Sequence, residues 1–155
     1  MSDDLEAKVR ALAPAKALAM AGYGESVAAY RYRMLAEKTT DETLVAVFVE
    51  MAEEEKGHHA MVEKLLADRY PGADFVLSQE DKEMVTVGQR MLDVNDKASF
   101  DRAMELLVDS EHRTSRFYTA LHACTDDPQL KSVFREMADE CVEHAHRLET
   151  LPGVN

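Results

Sequence analysis

Phe48-Val49-Glu50-Met51-Ala52-Glu53-Glu54-Glu55-Lys56-Gly57-His58 returns 86 residues later as Phe134-Arg135-Glu136-Met137-Ala138-Asp139-Glu140-Cys141-Val142-Glu143-His144. The match extends outward on both sides. Residues 13–66 lie over 99–152 without a gap, and 16 of the 54 positions are identical, well above chance for this composition. The retained positions include Glu25 with Glu111, Tyr32 with Tyr118, Asp41 with Asp127, Glu54 with Glu140 and His58 with His144. A period this long, present twice, reads as a duplicated helical hairpin and not as a solenoid, which needs three or more stacked repeats. The functional question is therefore what two facing hairpins hold between them.

The rest of the chain bounds the answer. At 155 residues it is expected to form one domain over 1–155, long enough to bury a substantial core. Hydrophobic residues make up 46% and charged residues 31%, the balance of a globular chain. No apolar run approaches the ~20 residues of a membrane span. The start, Met1-Ser2-Asp3-Asp4, is acidic and lacks the basic and apolar regions of a signal peptide. Cys124 and Cys141 do not make a disulfide framework, so a reducing, cytoplasmic location is expected. A net charge of −12 argues against nucleic acid and anionic membranes, which call for clustered Lys and Arg.

Apolar residues recur at helical spacing, and the few prolines and glycines sit at the breaks. The spacing predicts helices over 14–38 and 42–69, the second capped by Asp41, and over 99–124 and 128–150, the last capped by Asp127 with Pro128 at its first position. A short leading helix is expected within 3–12. The Lys38-Thr39-Thr40-Asp41 connection is short enough to force antiparallel neighbours. The hairpins are then 14–69 and 99–150, joined by a crossover over 70–98 with a helix-like stretch from Glu80 to Met91. A connection of that length must span something. Here it spans a bundle of ~35–40 Å, from 24–28 residues at 1.5 Å rise. The expected fold is all-α: a four-helix bundle of two antiparallel hairpins with one long crossover.

Projected at about 100° per residue, Phe48, Met51, Glu55, His58, Val62 and Leu65 share one face of the second long helix. Phe134, Met137, Cys141, His144, Leu148 and Leu151 share the matching face of the fourth. Glu25 lies in the apolar stripe of the first with Leu18, Ala21, Tyr32 and Leu35, and Glu111 in that of the third with Met104, Leu107, Tyr118 and Leu121. Three carboxylates and two imidazoles thus point into an apolar core at mid-height. A buried carboxylate costs several kcal/mol unless paired, and few inward Lys or Arg are evident, so bound cations are the simplest answer. Glu55 and His58, three residues apart, leave one turn in the same direction and can grip one metal. A glutamate from each of two helices with Glu-x-x-His from the others is the ligand pattern of di-iron and di-manganese carboxylate sites.

With these motifs the sequence resembles the rubrerythrin-like branch of the ferritin-like superfamily over residues 14–150, most closely in Phe48–His58 and in the paired Glu-x6-Tyr motifs, Glu25 to Tyr32 and Glu111 to Tyr118. The resemblance implies a site for two irons, or manganese or zinc, with Glu25 and Glu111 as terminal or switching carboxylates and Glu55 as a bridge. His58 and His144 would be nitrogen ligands, and Tyr32 and Tyr118 hydroxyl donors that hold glutamates. It implies an oxidoreductase acting on peroxide or O2. The sequence departs from the family at three points. Cys141 stands where the fourth helix should face Glu55 with a glutamate, so Cys141 is carried as a candidate ligand; Glu140 is adjacent but about 100° round the helix and would need a bulge to reach inward. Thr114 stands one turn after Glu111, where peroxidase-type rubrerythrins carry a further glutamate. No paired Cys-x-x-Cys knuckles occur, so the rubredoxin domain is absent and a separate electron donor is expected.

Other polar residues have plainer readings. Glu143-x-x-His146 points outward on the same projection, and His59, His112 and His122 read as ordinary. The nine methionines read as core filling. Two further functions compete with catalysis: iron storage or sensing without turnover, and a structural bundle whose site Cys141 has broken. A homodimer is the expected assembly.

Overall fold

Asp41 and Asp127, matched across the repeat, each open a helix. Asp41 Oδ1 accepts the backbone N–H groups of Thr43 and Leu44, and Asp127 Oδ1 those of Gln129 and Leu130, satisfying donors that a helix start otherwise leaves unpaired. The computed structural model describes residues 2–151; Met1 and 152–155, the ends of the domain expected over 1–155, lie outside the described residues. The elements are α1 (Ser2–Arg10), α2 (Pro14–Glu37), α3 (Glu42–Arg69), α4 (Gln79–Val85), α5 (Lys97–Cys124) and α6 (Pro128–Glu149), with no strand among the described residues. The fold is an all-α bundle. The four long helices begin and end within two residues of the bounds read from the sequence. Helices α2 and α3 form one hairpin, α5 and α6 the other, and α1 packs on α5.

The apolar stripes meet as expected, but the core is divided in two. One cluster holds Leu18, Ala21, Val62, Phe117, Tyr118, Phe134, Met137 and Cys141; the other holds Tyr32, Leu35, Phe48, Met51, Met104, Leu107 and Leu148. Each cluster draws on all four long helices, and the polar layer built from α2, α3, α5 and α6 lies between them.

The crossover departs from expectation. The short helix anticipated over 80–91 ends at Val85, where the groups that would continue it bond α5 instead: the Val87 N–H donates to Ser110 Oγ at 3.2 Å, and the Glu83 and Val85 carbonyls accept from Arg113 and Thr114. Arg31 of α2, almost wholly buried, donates to the carbonyl oxygens of Val87 at 2.8 Å, Gln89 at 2.6 Å and Arg90 at 3.4 Å, and to Ser110 Oγ at 3.3 Å. Gly88, at φ 78°, completes the turn; a Cβ there would stand 2.7 Å from Leu106 Cδ1. Upstream, Gly24 admits Val85 against α2, since a Cβ at 24 would meet Val85 Cγ1 at 2.5 Å. Lys16 pairs with Asp81 at 3.1 Å, tying α4 to α2. Helix α5 begins at Lys97, two residues earlier than the repeat suggested, because Asp96 and Ser99 form a reciprocal capping box.

Candidate metal centre

Mid-height in the bundle, α2 presents Glu25, α3 presents Glu55 and His58, α5 presents Glu111 and α6 presents His144. All are buried except His58, which is partly exposed. Their donor atoms form two triads, Glu25–Glu55–His58 and Glu55–Glu111–His144, in each of which the atoms lie within 4.8 Å of one another. Glu55 belongs to both. His58 Nδ1 is 3.6 Å from Glu25 Oε2 and 3.5 Å from Glu55 Oε1. His144 Nδ1 is 3.1 Å from Glu55 Oε1 and 3.3 Å from Glu111 Oε2.

The donor set fits a cation. His144 Nε2 bonds Glu54 Oε2 at 2.6 Å; a carboxylate only accepts, so Nε2 carries that hydrogen. Nδ1 then faces two carboxylate oxygens, and among the described residues His144 Nδ1, Glu25 Oε2 and Glu111 Oε2 have no hydrogen-bond partner. Buried acceptors set face to face in this way are stable only with a positive charge among them, a proton or a metal ion.

The titration of these groups shows the same demand. Burial, reinforced by the charge of Glu55, raises Glu25 to about 8 and Glu111 to about 7. Burial also disfavours the Glu55 anion, yet the His144 and His58 imidazoles against it hold it down at about 2. Burial works against the imidazolium forms too, but Glu25 and Glu55 carry His58 up to about 10, and Glu111 and Glu55 carry His144 up to about 11. Protons gather where the carboxylates and ring nitrogens converge, and a metal ion would displace them.

The surrounding residues are less symmetric than the sequence. Tyr118 donates to Glu25 Oε1 at 2.8 Å. Its repeat partner Tyr32 is fully buried, packs edge-on against the His144 ring at 6.3 Å between centroids, and makes no hydrogen bond through its hydroxyl among the described residues. Cys141 is buried on the His144 face of α6, one turn before it, but its sulfur is in neither triad; burial and the charge of Glu111 push its thiol well above the usual range. Thr114 Oγ1 is bonded to the carbonyls of Val85 at 2.7 Å and Ser110 at 2.9 Å, and so is turned to the crossover. Glu143 and His146 are exposed, as projected, and His59 lies 3.4 Å from Glu63.

Two features were not read from the sequence. Helix α6 is α-helical from end to end, without a bulge, and Glu140 reaches not the triads but the outer edge of His58, with Oε2 2.6 Å from Nε2. The identity of Glu54 and Glu140 across the repeat was the available signal. Arg31 is an inward cation where few were evident, but it serves backbone carbonyls and leaves the glutamates unpaired.

The model of the rubrerythrin family matches residues 16–106. A search of curated proteins returns no match. Among solved structures, a hypothetical protein from Pyrococcus furiosus is similar at 26% identity, with a TM-score of 0.79 over 89% of this chain and 87% of that one.

Proposed function

Because the chain belongs to the rubrerythrin family, we propose that it is a non-haem diiron oxidoreductase acting on peroxide or O2. Glu25, Glu55 and His58 would hold one iron, and Glu55, Glu111 and His144 the other. The observation that carries this reading is the sharing of Glu55 by two triads in which, among the described residues, Glu25 Oε2, Glu111 Oε2 and His144 Nδ1 are buried without a hydrogen-bond partner. Mixed carboxylate and imidazole ligands suit iron or manganese, and zinc can also take such a set. Bound iron would supply the one-electron redox chemistry that the side chains lack. The protein residues orient and insulate: Tyr118 fixes Glu25, Glu55 sets one negative charge between the two positions, and the apolar clusters on either side exclude water.

A second reading, iron binding without turnover, is favoured by Cys141 at the position matched to Glu55 and by Thr114, whose hydroxyl serves the Val85 carbonyl. The test is anaerobic loading with Fe(II), elemental analysis of iron per chain, and titration with peroxide. Two irons and repeated peroxide consumption are expected. Stoichiometric iron without consumption favours storage or sensing, and failure to bind iron leaves a structural bundle.

A further inference from the structure

Glu54 and Glu140 are retained across the repeat, yet neither belongs to a triad. Each stands four residues before a histidine on its own helix, the spacing at which helical neighbours pair. The structure pairs them otherwise. Glu54 on α3 reaches across to His144 on α6, and Glu140 on α6 reaches across to His58 on α3, each with Oε2 2.6 Å from Nε2. The Nδ1 atoms of the same rings face the triads at 3.1–3.6 Å. Both carboxylates are more than a third exposed, at 38% and 36% of the side chain, so they join solvent to the buried layer through one ring each. Glu54 is also held from outside by Arg147, whose Nη1 lies 3.6 Å from its Oε1.

We propose that Glu54 and Glu140 are positioning residues, each fixing the opposite hairpin's histidine with the proton on Nε2 and Nδ1 turned to the metal position. The inference rests on the reading of the triads as metal sites. A neutral imidazole offers a lone pair on one nitrogen only, and the hydrogen bond at the other nitrogen decides which. Neither hairpin supplies that bond to its own histidine, so each half of the site becomes competent only when the other hairpin is docked.

The experiment has two arms. In chelator-treated protein with 15N-labelled histidine, Glu54→Gln shifts the Nε2 resonance of His144 and leaves that of His58, while Glu140→Gln does the reverse. In competition titrations with Zn(II), Glu54→Ala weakens one of two sites by about 10- to 100-fold, and Glu54→Gln, which keeps an accepting oxygen, weakens it less. In a His58→Ala background Glu54→Ala still costs affinity; in a His144→Ala background it costs nothing further. Because Arg147, which also pairs with Glu50, braces Glu54 and not Glu140, Glu54→Ala has the larger effect of the two carboxylate variants. Responses confined to the histidine on the same helix, or unchanged ring-nitrogen shifts, overturn the proposal. If the wild-type protein takes up no Zn(II), the metal reading falls, and the resonance shifts still decide the cross-hairpin pairing.

Discussion

Position 55 in the first hairpin carries a glutamate that both triads use; its match in the second, position 141, carries a buried cysteine that neither uses. The same division recurs around the site. Arg31 grips the crossover, and its match, Phe117, fills apolar core. Tyr118 holds Glu25, and its match, Tyr32, makes no hydrogen bond through its hydroxyl among the described residues. Arg147 braces Glu54, whereas the residue matched to Arg147 across the repeat, Met61, carries no charge with which to brace Glu140. The repeat fixed where side chains point, and the halves then divided the tasks. The first hairpin carries the shared anion and the guanidinium that grips the crossover; the second carries the filling and the external brace.

The sharpest way to break this comparison is to exchange its central pair. Glu55→Ala removes a donor from both triads, so metal content measured by elemental analysis should fall from near two per chain towards none. Cys141→Ala should leave it nearly unchanged, and Cys141→Glu, which restores the match to Glu55, should raise any shortfall towards two and increase peroxide consumption. Equal losses from Glu55→Ala and Cys141→Ala would show that the thiol is a ligand after all.

A second test removes the metal and varies pH. Glu25 and Glu111 titrate above the ordinary carboxylate value of 4.5, and His58 and His144 above 6.5. The native state therefore keeps protons that the unfolded chain has lost, and stability must fall as pH rises through these windows. Glu55, held near 2, acts oppositely, adding stability as pH climbs from about 2 to 4.5. In chelator the melting temperature should peak near pH 5 and decline towards pH 9, with helical circular dichroism retained below the transition. Metal-loaded protein should melt higher at pH 7–9, where metal competes best with protons. A flat profile in chelator would show that the buried carboxyls are solvated.

The third comparison is Arg31 against Phe117. Arg31→Met strands the carbonyls of Val87 and Gln89 and should cost about 2–4 kcal/mol in urea unfolding, allowing for partial hydration. Phe117→Leu, a change of packing alone, should cost about 1 kcal/mol. The smallest contrast is between the tyrosines. Tyr118→Phe loses a buried bond to Glu25 and should cost about 1–2 kcal/mol, whereas Tyr32→Phe should lie within about 0.5 kcal/mol of wild type. A larger loss from Tyr32→Phe would reveal a partner for its hydroxyl.

The duplicated period made the bundle legible, because each long helix carries its own cap and its own apolar stripe. Glu25, Glu55, His58, Glu111 and His144 were legible for the same reason: acidic or imidazole groups interrupted an inward face. Glu54 and Glu140 were not, since their partners lie on another helix and a single-helix projection assigns them only an angle. Arg31 was hidden differently. Its role depends on where an irregular crossover brings main-chain carbonyls, and no side-chain pattern in 86–96 announces that path. The early end of α4 follows from the same blind spot.

Arg31 recognises the crossover through its main chain, an interaction indifferent to the identity of the residues that offer it. Every amino acid has a carbonyl oxygen. Positions 87, 89 and 90 are therefore free to drift in sequence while the tie persists, with Gly88 the exception because of its backbone angle and the nearness of Leu106. Insertions and deletions are another matter, since a change of one residue in length moves every carbonyl out of step with a fixed guanidinium. Across natural variants of this chain, the segment should vary in letters and hold constant in length, with Arg31 retained wherever that length is retained.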